Sequence, residues 1–424
     1  MSYVKLAPAV PLVIVLLSAI AMAQAIPATN FGMHDNHAAA GGTPYPTVSF
    51  GSFRIWDVEG AQWPYLEPSR GIYNWTTLDN WISTLNSQGV TDIIYTFGHT
   101  PCWANSTCTD TLPPDNNQDT IDFITALATR YKGKIKRYET WNESWVGAGF
   151  WTGTMAQLIQ LQNDLYTTVK AIDSTATVHT PVLGVSATPG DCSNLGAGLF
   201  SLNNFLAANG TSNFDVVDVH LYPYPVGSAP EPVSVPIANE KCSMSIYGIS
   251  SRPLWNTEFS WGSSTDVPNS ADQVAWLGRA YLYLWSQGVV RSYWYTYDGG
   301  AWGPLWSNTG GAGTLATGVA YQQMYNWMVG ATMTTNCAAA KSVWTCGLTL
   351  ANGHQALAVW LDVWKSTATQ SYEPANQYNE YHDLAGNTTT INSGQSVTIG
   401  ETPILFESAA ARPNAPSALT AIVQ

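Results

Sequence analysis

Asn30-Phe31-Gly32-Met33-His34-Asp35 (NFGMHD) is the first strand-like run of the chain, and the way it ends decides between two folds. An open doubly wound sheet would place a glycine-rich phosphate turn after its first strand. Here the run passes into His34 and Asp35 with no such turn. Seven further runs read as strands: Ser52–Val58, Asp92–Phe97, Ile135–Trp141, Thr177–Leu183, Val216–Tyr222, Leu254–Phe259 and Ser292–Tyr297. Helical stretches lie between them. One spans about Leu78 to Gln88 and stops at Gly89; one opens on the capping box Thr154-Met155-Ala156-Gln157. Another opens with Ser270-Ala271-Asp272-Gln273 and stops at Gly288, and the last runs from about Leu315 to Met328 before Gly330. Alternating strands and helices call for a parallel sheet, and eight units over roughly 300 residues match a (β/α)₈ TIM barrel.

After about residue 331 the texture changes. Gly347–Asp362 and Tyr381–Glu407 alternate apolar and polar residues around the turn signals Asn352-Gly353, Ala385-Gly386-Asn387 and Ser393-Gly394, which predicts a hairpin-rich β-sandwich. Residues 1–25 (MSYVKLAPAVPLVIVLLSAIAMAQA) carry one Lys, an apolar run and small residues at Ala21, Ala23 and Ala25, the pattern of a cleaved secretory leader. The expected organisation is therefore a signal peptide at 1–25, the barrel at 26–330, the sandwich at 331–408 and a loose tail at 409–424 holding Pro413 and Pro416. No later apolar run is long enough to span a bilayer, so the expected product is released outside the cell, extracellular or periplasmic.

Composition narrows the partners. The 424 residues are 45% hydrophobic and 11% charged, which is globular rather than disordered. A formal net charge of -13 with 16 Lys and Arg leaves no footprint for a polyanion, so nucleic acid is excluded and a neutral partner fits. The 19 Trp and 21 Tyr offer flat apolar faces with polar edges, suited to the C–H faces of sugar rings, although most such rings in any protein fill the core. The six cysteines suggest disulfides in an exported chain, with Cys102/Cys108 and Cys337/Cys346 each able to close a short loop; the connectivity stays open. No CxxC pair and no HExxH helix is present, so no metal or other cofactor is expected.

In a TIM barrel, reactive groups sit at the C-terminal strand ends. Those ends carry in turn His34, then Arg54 and Asp57, His99, Asn142-Glu143, His220 and Tyr222, Asn256 and Glu258, and Trp294 and Tyr297. Two carboxylates stand out, in Trp141-Asn142-Glu143 after strand four and in Trp255-Asn256-Thr257-Glu258-Phe259 on strand seven, on opposite sides of the mouth. Cleaving a glycosidic bond with retention needs one carboxylic acid to protonate the leaving oxygen and one carboxylate to attack the anomeric carbon. Glu143 and Glu258 supply such a pair, and Asn142 supplies an amide for the neighbouring sugar hydroxyl.

Trp-Asn-Glu after strand four with a Glu after strand seven resembles the retaining (β/α)₈ glycoside hydrolases of clan A. Within that clan, Arg54-Ile55-Trp56-Asp57, Ile72-Tyr73-Asn74-Trp75 leading to Leu78-Asp79, Gly98-His99-Thr100-Pro101 and Asp218-Val219-His220-Leu221-Tyr222 look most like family 39, which also carries a β-sandwich after its barrel. The resemblance implies a carbohydrate substrate, Glu143 as general acid/base and Glu258 as nucleophile. It further implies Tyr222 bonding the nucleophile, Arg54 beneath it, Trp294 as the floor under the sugar, and His220 and His99 lining the pocket. Many clan members have Pro after the acid/base Glu where this chain has Ser144, which alters the loop on the leaving-group side.

Several signals read more plainly. Glu139 and Arg137 on one strand are expected to form a buried ion pair inside the barrel, and Glu67 to order a loop. Trp56, Trp103, Trp145, Trp151, Trp261 and Trp302 come soon after strand ends, and about half of them are expected to face sugar. Gly310-Gly311-Ala312-Gly313 lacks a following Lys-Ser/Thr and reads as a rim loop rather than a phosphate loop. Two rival functions are a sugar-binding protein on the same barrel whose catalysis has decayed, and a serine hydrolase using Ser144, which no Gly-x-Ser-x-Gly elbow supports.

Overall fold

The computed structural model describes residues 24–308 and 313–408. The expected leader, save its last two residues, the expected tail at 409–424 and most of the Gly310–Gly313 run lie outside the described residues. Strands β1 (Phe31–Met33), β2 (Ser52–Ile55), β3 (Asp92–Thr96), β4 (Arg137–Glu139), β5 (Thr177–His179), β6 (Val217–His220), β7 (Leu254–Phe259) and β8 (Ser292–Trp294) pair in parallel in the order β5-β4-β3-β2-β1-β8-β7-β6. A parallel bridge between His179 and Val216 joins the two outer strands and nearly closes the barrel. Half of the strands end two or three residues sooner than their apolar runs suggest, because the last residues leave the ladder to form the mouth.

The helices are α1 (Trp63–Leu66) and α2 (Thr76–Ser87) after β2, α3 (Asn117–Arg130), α4 (Met155–Ile172), α5 (Leu202–Asn209), α6 (Ser234–Ile246), α7 (Ser270–Ser286) and α8 (Ala316–Met328). The first crossover departs from the ideal unit: only a short 3₁₀ turn at Ala38–Ala40 comes after β1. Thr154 and Gln157 form the expected capping box on α4. Helix α7 opens at Ser270 as expected, and Asn269 caps it: its side-chain oxygen accepts from the amide of Ala271. Gly288 ends that helix with φ +72°, a conformation that L side chains rarely adopt.

Two short strands, β9 (Trp306–Ser307) and β10 (Gly313–Thr314), pair at the barrel rim. The chain then forms β11 (Thr332–Ala340), β12 (Val343–Thr349), β13 (Gln355–Leu361), β14 (Gln370–Tyr372), β15 (Tyr378–His382), β16 (Thr388–Thr390), β17 (Val397–Ile399) and β18 (Ile404–Ser408). Six of them form the antiparallel sheet β11-β12-β13-β18-β15-β16, and β14 pairs with β17. Alternation along β13 explains the layering. Ala356, Ala358 and Trp360 join the core shared with α7 and α8, while Val359 and Leu361 join a second core with Val397, Ile399 and Phe406. Burying a side chain such as Val359 or Phe406 contributes about 1.5–3 kcal/mol. A buried polar clamp ties the sandwich to the barrel: Arg279 of α7 holds Glu231 through two bonds of 2.7 Å and donates to the carbonyl of Val363, while the Trp360 indole donates to Glu231.

Three disulfides are present. Cys102–Cys108 and Cys337–Cys346 close the short loops suggested by spacing, and Cys192–Cys242 joins the loop after β5 to α6. Among the described residues, no helix is long and apolar enough to cross a membrane.

Candidate active site

Glu143 and Glu258 stand at the same mouth because two local irregularities turn them inward. Glu143 lies just past β4 with φ +37°, in the left-handed region, which allows Asn142 and Glu143 in succession to face the pocket. On β7 the ladder slips against both neighbours. Asn256 pairs with Val219 but Glu258 pairs with His220, so Thr257 is the extra residue. Strict alternation would send Thr257 and Glu258 to opposite faces, yet the hydroxyl of Thr257 donates to Glu139 inside the barrel at 2.8 Å and Glu258 still reaches the mouth. Donor atoms of Glu143, His220 and Glu258 lie within 4.8 Å of one another.

Arg54 organises the site from below. Wholly buried, it donates from Nη1 to Glu258 Oε2 at 3.0 Å, from Nη2 to Asn142 Oδ1 at 2.8 Å and from Nε to Glu139 Oε2 at 2.7 Å. The Glu139 ion pair is therefore inside the barrel as expected, but its partner is Arg54. Arg137, two residues earlier on β4 and so on the same face, sits one layer nearer the strand starts and grips Asp92, the first residue of β3, through two bonds of 2.8 and 2.9 Å. Deeper still, His179 Nδ1 lies 2.7 Å from Asp218 Oδ2; burial pushes Asp218 up to about 7 and pulls His179 down to about 3, so both tend to neutrality.

The two mouth carboxyls differ in their donors. Glu258 accepts from the Tyr222 hydroxyl at 2.7 Å as well as from Arg54, whereas Glu143 has His220 Nδ1 at 2.8 Å. Burial pulls the His220 imidazole down to about 4, which leaves it neutral. Burial also pushes both glutamates up to about 7; Arg54 opposes this at Glu143, and at Glu258 His220 opposes it while the charge of Glu143 adds to it. Two carboxyls this close cannot both ionise cheaply, so they hold one proton between them. The Tyr222 and Arg54 donors on Glu258 favour the negative charge there, which makes Glu143 the better seat for the proton.

The cavity above them measures about 760 Å³. Trp56, stacked 5.0 Å from the His99 ring, forms one wall; Trp145, edge-on to His220, and Trp302, edge-on to Tyr222, form others. These are three of the six candidate platforms; Trp151 and Trp261 are buried in the core, and Trp103 donates to the Glu67 carbonyl. Asn142, His99, His220 and Tyr222 line the cavity with the two glutamates, and Arg54 lies beneath. His99 also contacts Asp110 at 2.9 Å.

Trp294 does not join them. It is wholly buried among Phe259, Trp261, Trp276 and Tyr281, with its indole donating to the Gly303 carbonyl, and the next residue, Tyr295, lines the cavity instead. The physical reason is register: Trp294 still pairs in the β8 ladder with its ring facing the helices, and Tyr295 is the first residue past it. Sequence reasoning therefore missed Tyr295, whose hydroxyl donates to Asp57, a second pocket residue passed over as a site; both lay within the strand-end windows. Ser144 is buried, and its hydroxyl is spent on the Val182 carbonyl at 3.1 Å, so it is no nucleophile. Glu67 accepts from the Gly71 amide and the Trp63 indole, the loop-ordering role expected of it.

Residues 51–156 match the family model of the glycoside hydrolase family 42 β-galactosidases. That match covers β2 to β4 of the barrel and includes Asn142 and Glu143. A sequence search of curated proteins finds no match. Among solved structures, the chain is similar to a family 39 glycoside hydrolase from the gut symbiont Bacteroides cellulosilyticus WH2, at 17% identity over 90% of this chain and 81% of that one, with a TM-score of 0.67. It is similar to a monomeric β-xylosidase from Caulobacter crescentus CB15, at 15% identity over 85% and 90% of the two chains, TM-score 0.59. The catalytic domain of a family 30 xylanase C from Talaromyces cellulolyticus is 15% identical over 91% and 98%, TM-score 0.56. The resemblance to clan A, and to family 39 within it, thus extends from motifs to the fold.

Proposed function

We propose that this glycoside hydrolase cleaves O-glycosidic bonds of a poly- or oligosaccharide by double displacement, with Glu258 as nucleophile and Glu143 as general acid/base. The observation that carries the reading is the placement of both carboxyls, from β4 and β7, within 4.8 Å of one another over one cavity. Retaining enzymes hold the pair about 5–5.5 Å apart, whereas inverting ones leave about 6.5–9.5 Å for a water. Glu143 gives its proton to the leaving oxygen as a Glu258 oxygen bonds the anomeric carbon. Glu143, now a carboxylate, then takes a proton from the water that breaks the resulting ester. Asn142, its oxygen held by Arg54, turns its NH₂ toward the sugar hydroxyl beside the reacting carbon. Tyr222 and Arg54 steady the charge on Glu258 before attack and after release.

The shared proton sets the pH dependence. The active form carries one proton on the pair, so kcat/KM is expected to fall as pH rises through about 7, where Glu143 loses it, and to fall again on the acid side, where Glu258 gains one. A pH–rate profile checks this; an alkaline limb absent up to about pH 9 would contradict it.

The lining also indicates the substrate class. Asp57, Glu143 and Glu258 face the cavity, among the described residues no Lys or Arg does, and Arg54 beneath it is already shared between Glu139 and Glu258. A uronate or sulfate would bury a negative charge with no partner, so the substrate is a neutral glycan. An aryl glucuronide is expected to react roughly a hundredfold or more slowly than the matching neutral aryl hexoside; equal kcat/KM would refute this. The leader-like residues 1–25 and the three disulfides support secretion. A catalytically decayed sugar-binding barrel is the alternative, and turnover of any activated aryl glycoside dismisses it.

A further inference from the structure

Two of the seven histidines of the chain meet on the C-terminal sheet, away from the pocket, around a pair of carboxylates. Glu380 on β15 lies directly across from Glu407 on β18. Like charges directly opposite in an antiparallel ladder repel. Among the described residues, the ion-pair partners of these two are histidines alone: His382 and His354. His382, two residues along β15, shares the face of Glu380, opposite the one on which Tyr381 and Phe406 pack.

The geometry is that of a ligand set. His382 Nε2 stands 3.0 Å from Glu407 Oε2 and 3.6 Å from Glu380 Oε1, and the three donor atoms lie within 4.8 Å of one another. Ligands about 2.0–2.2 Å from a tetrahedral ion stand roughly 3.3–3.6 Å apart, close to these spacings. The outer contacts agree. His382 Nδ1 lies 2.9 Å from the Thr388 hydroxyl, which can hold the Nδ1–H and leave the Nε2 lone pair toward the carboxylates. Asn352 and His354 bond the other oxygen of Glu407 and fix its orientation. The three side chains are 11–34% exposed, so an ion can reach them.

We propose that Glu380, His382 and Glu407 bind one divalent ion of the zinc class, which removes the repulsion between β15 and β18 and ties them together. The imidazole nitrogen favours zinc and its neighbours over calcium or magnesium, which prefer all-oxygen sites.

The test is calorimetric titration of the full-length, chelator-treated protein with Zn²⁺, beside melting curves with and without the ion. One site is expected, with a Tm raised by Zn²⁺ and unmoved by Ca²⁺ or Mg²⁺. His382→Ala should weaken binding by about tenfold or more. Glu380→Gln should weaken it likewise while melting no lower than the parent in chelator, because the repulsion is gone; that variant separates lost binding from lost folding. Since Glu143, His220 and Glu258 also bring donors together in the barrel, Glu143→Gln is titrated too and should bind Zn²⁺ as the parent does. No saturable binding, binding that survives both sandwich substitutions, or binding lost only in Glu143→Gln would each overturn the proposal.

Discussion

Glu258→Ala is expected to lower kcat on an activated aryl glycoside by about 10⁵-fold, the scale seen when a covalent nucleophile is removed. The loss cannot be recovered from neighbours. Glu139 is the other carboxylate on Arg54, but it lies in the barrel interior, held by the hydroxyls of Thr96 and Thr257. Folding should survive, because Arg54 keeps Glu139 and Asn142 as acceptors and only the Tyr222 hydroxyl and one guanidinium N–H lose theirs. Steady-state kinetics beside a circular dichroism melt checks both halves. Activity within about tenfold of the parent, in a folded variant, would remove Glu258 from the mechanism.

Glu143→Ala should behave differently, and the difference identifies the acid. General acid catalysis contributes about 10²–10⁴-fold, but only where the leaving group needs a proton. With dinitrophenolate as leaving group, kcat/KM should stay within about tenfold of the parent, while kcat and KM fall together as the glycosyl-enzyme waits for a base. With an alkyl or sugar leaving group, kcat/KM should fall by about 10³-fold. Equal losses on both substrates would assign Glu143 a role other than proton transfer. The neutral His220 at 2.8 Å from Glu143 cannot take over the proton donation, since burial pulls its imidazole down to about 4.

The legible part of the fold is the part that local patterns encode. Apolar runs punctuated by caps and glycines located all eight barrel strands, because burial and alternation are local properties of the chain. The motif residues at strand ends found the pocket for a related reason: in a parallel barrel every strand end reaches one rim. Register at those ends was not legible. Trp294 and Tyr295 are both aromatic neighbours, and only the β8 ladder, which includes Trp294, decides that Tyr295 faces the cavity. The same applies to Arg137 and Arg54. Sequence proximity suggested Arg137 as the partner of Glu139, but the fold brings Arg54 from β2 across β3 to Glu139, while Arg137, one layer nearer the strand starts, is held by Asp92. The slip in β7 that lets Thr257 and Glu258 both face inward leaves no mark in the amino-acid pattern, and neither does the cross-strand meeting of Glu380 with Glu407.

In the proposed reaction Glu258 bonds the anomeric carbon. Proton NMR of the first sugar released from an aryl glycoside, recorded before mutarotation, tests it most directly. Two successive displacements predict the anomer of the substrate; the opposite anomer would mean that water attacks in a single step and that Glu258 is a base rather than a nucleophile.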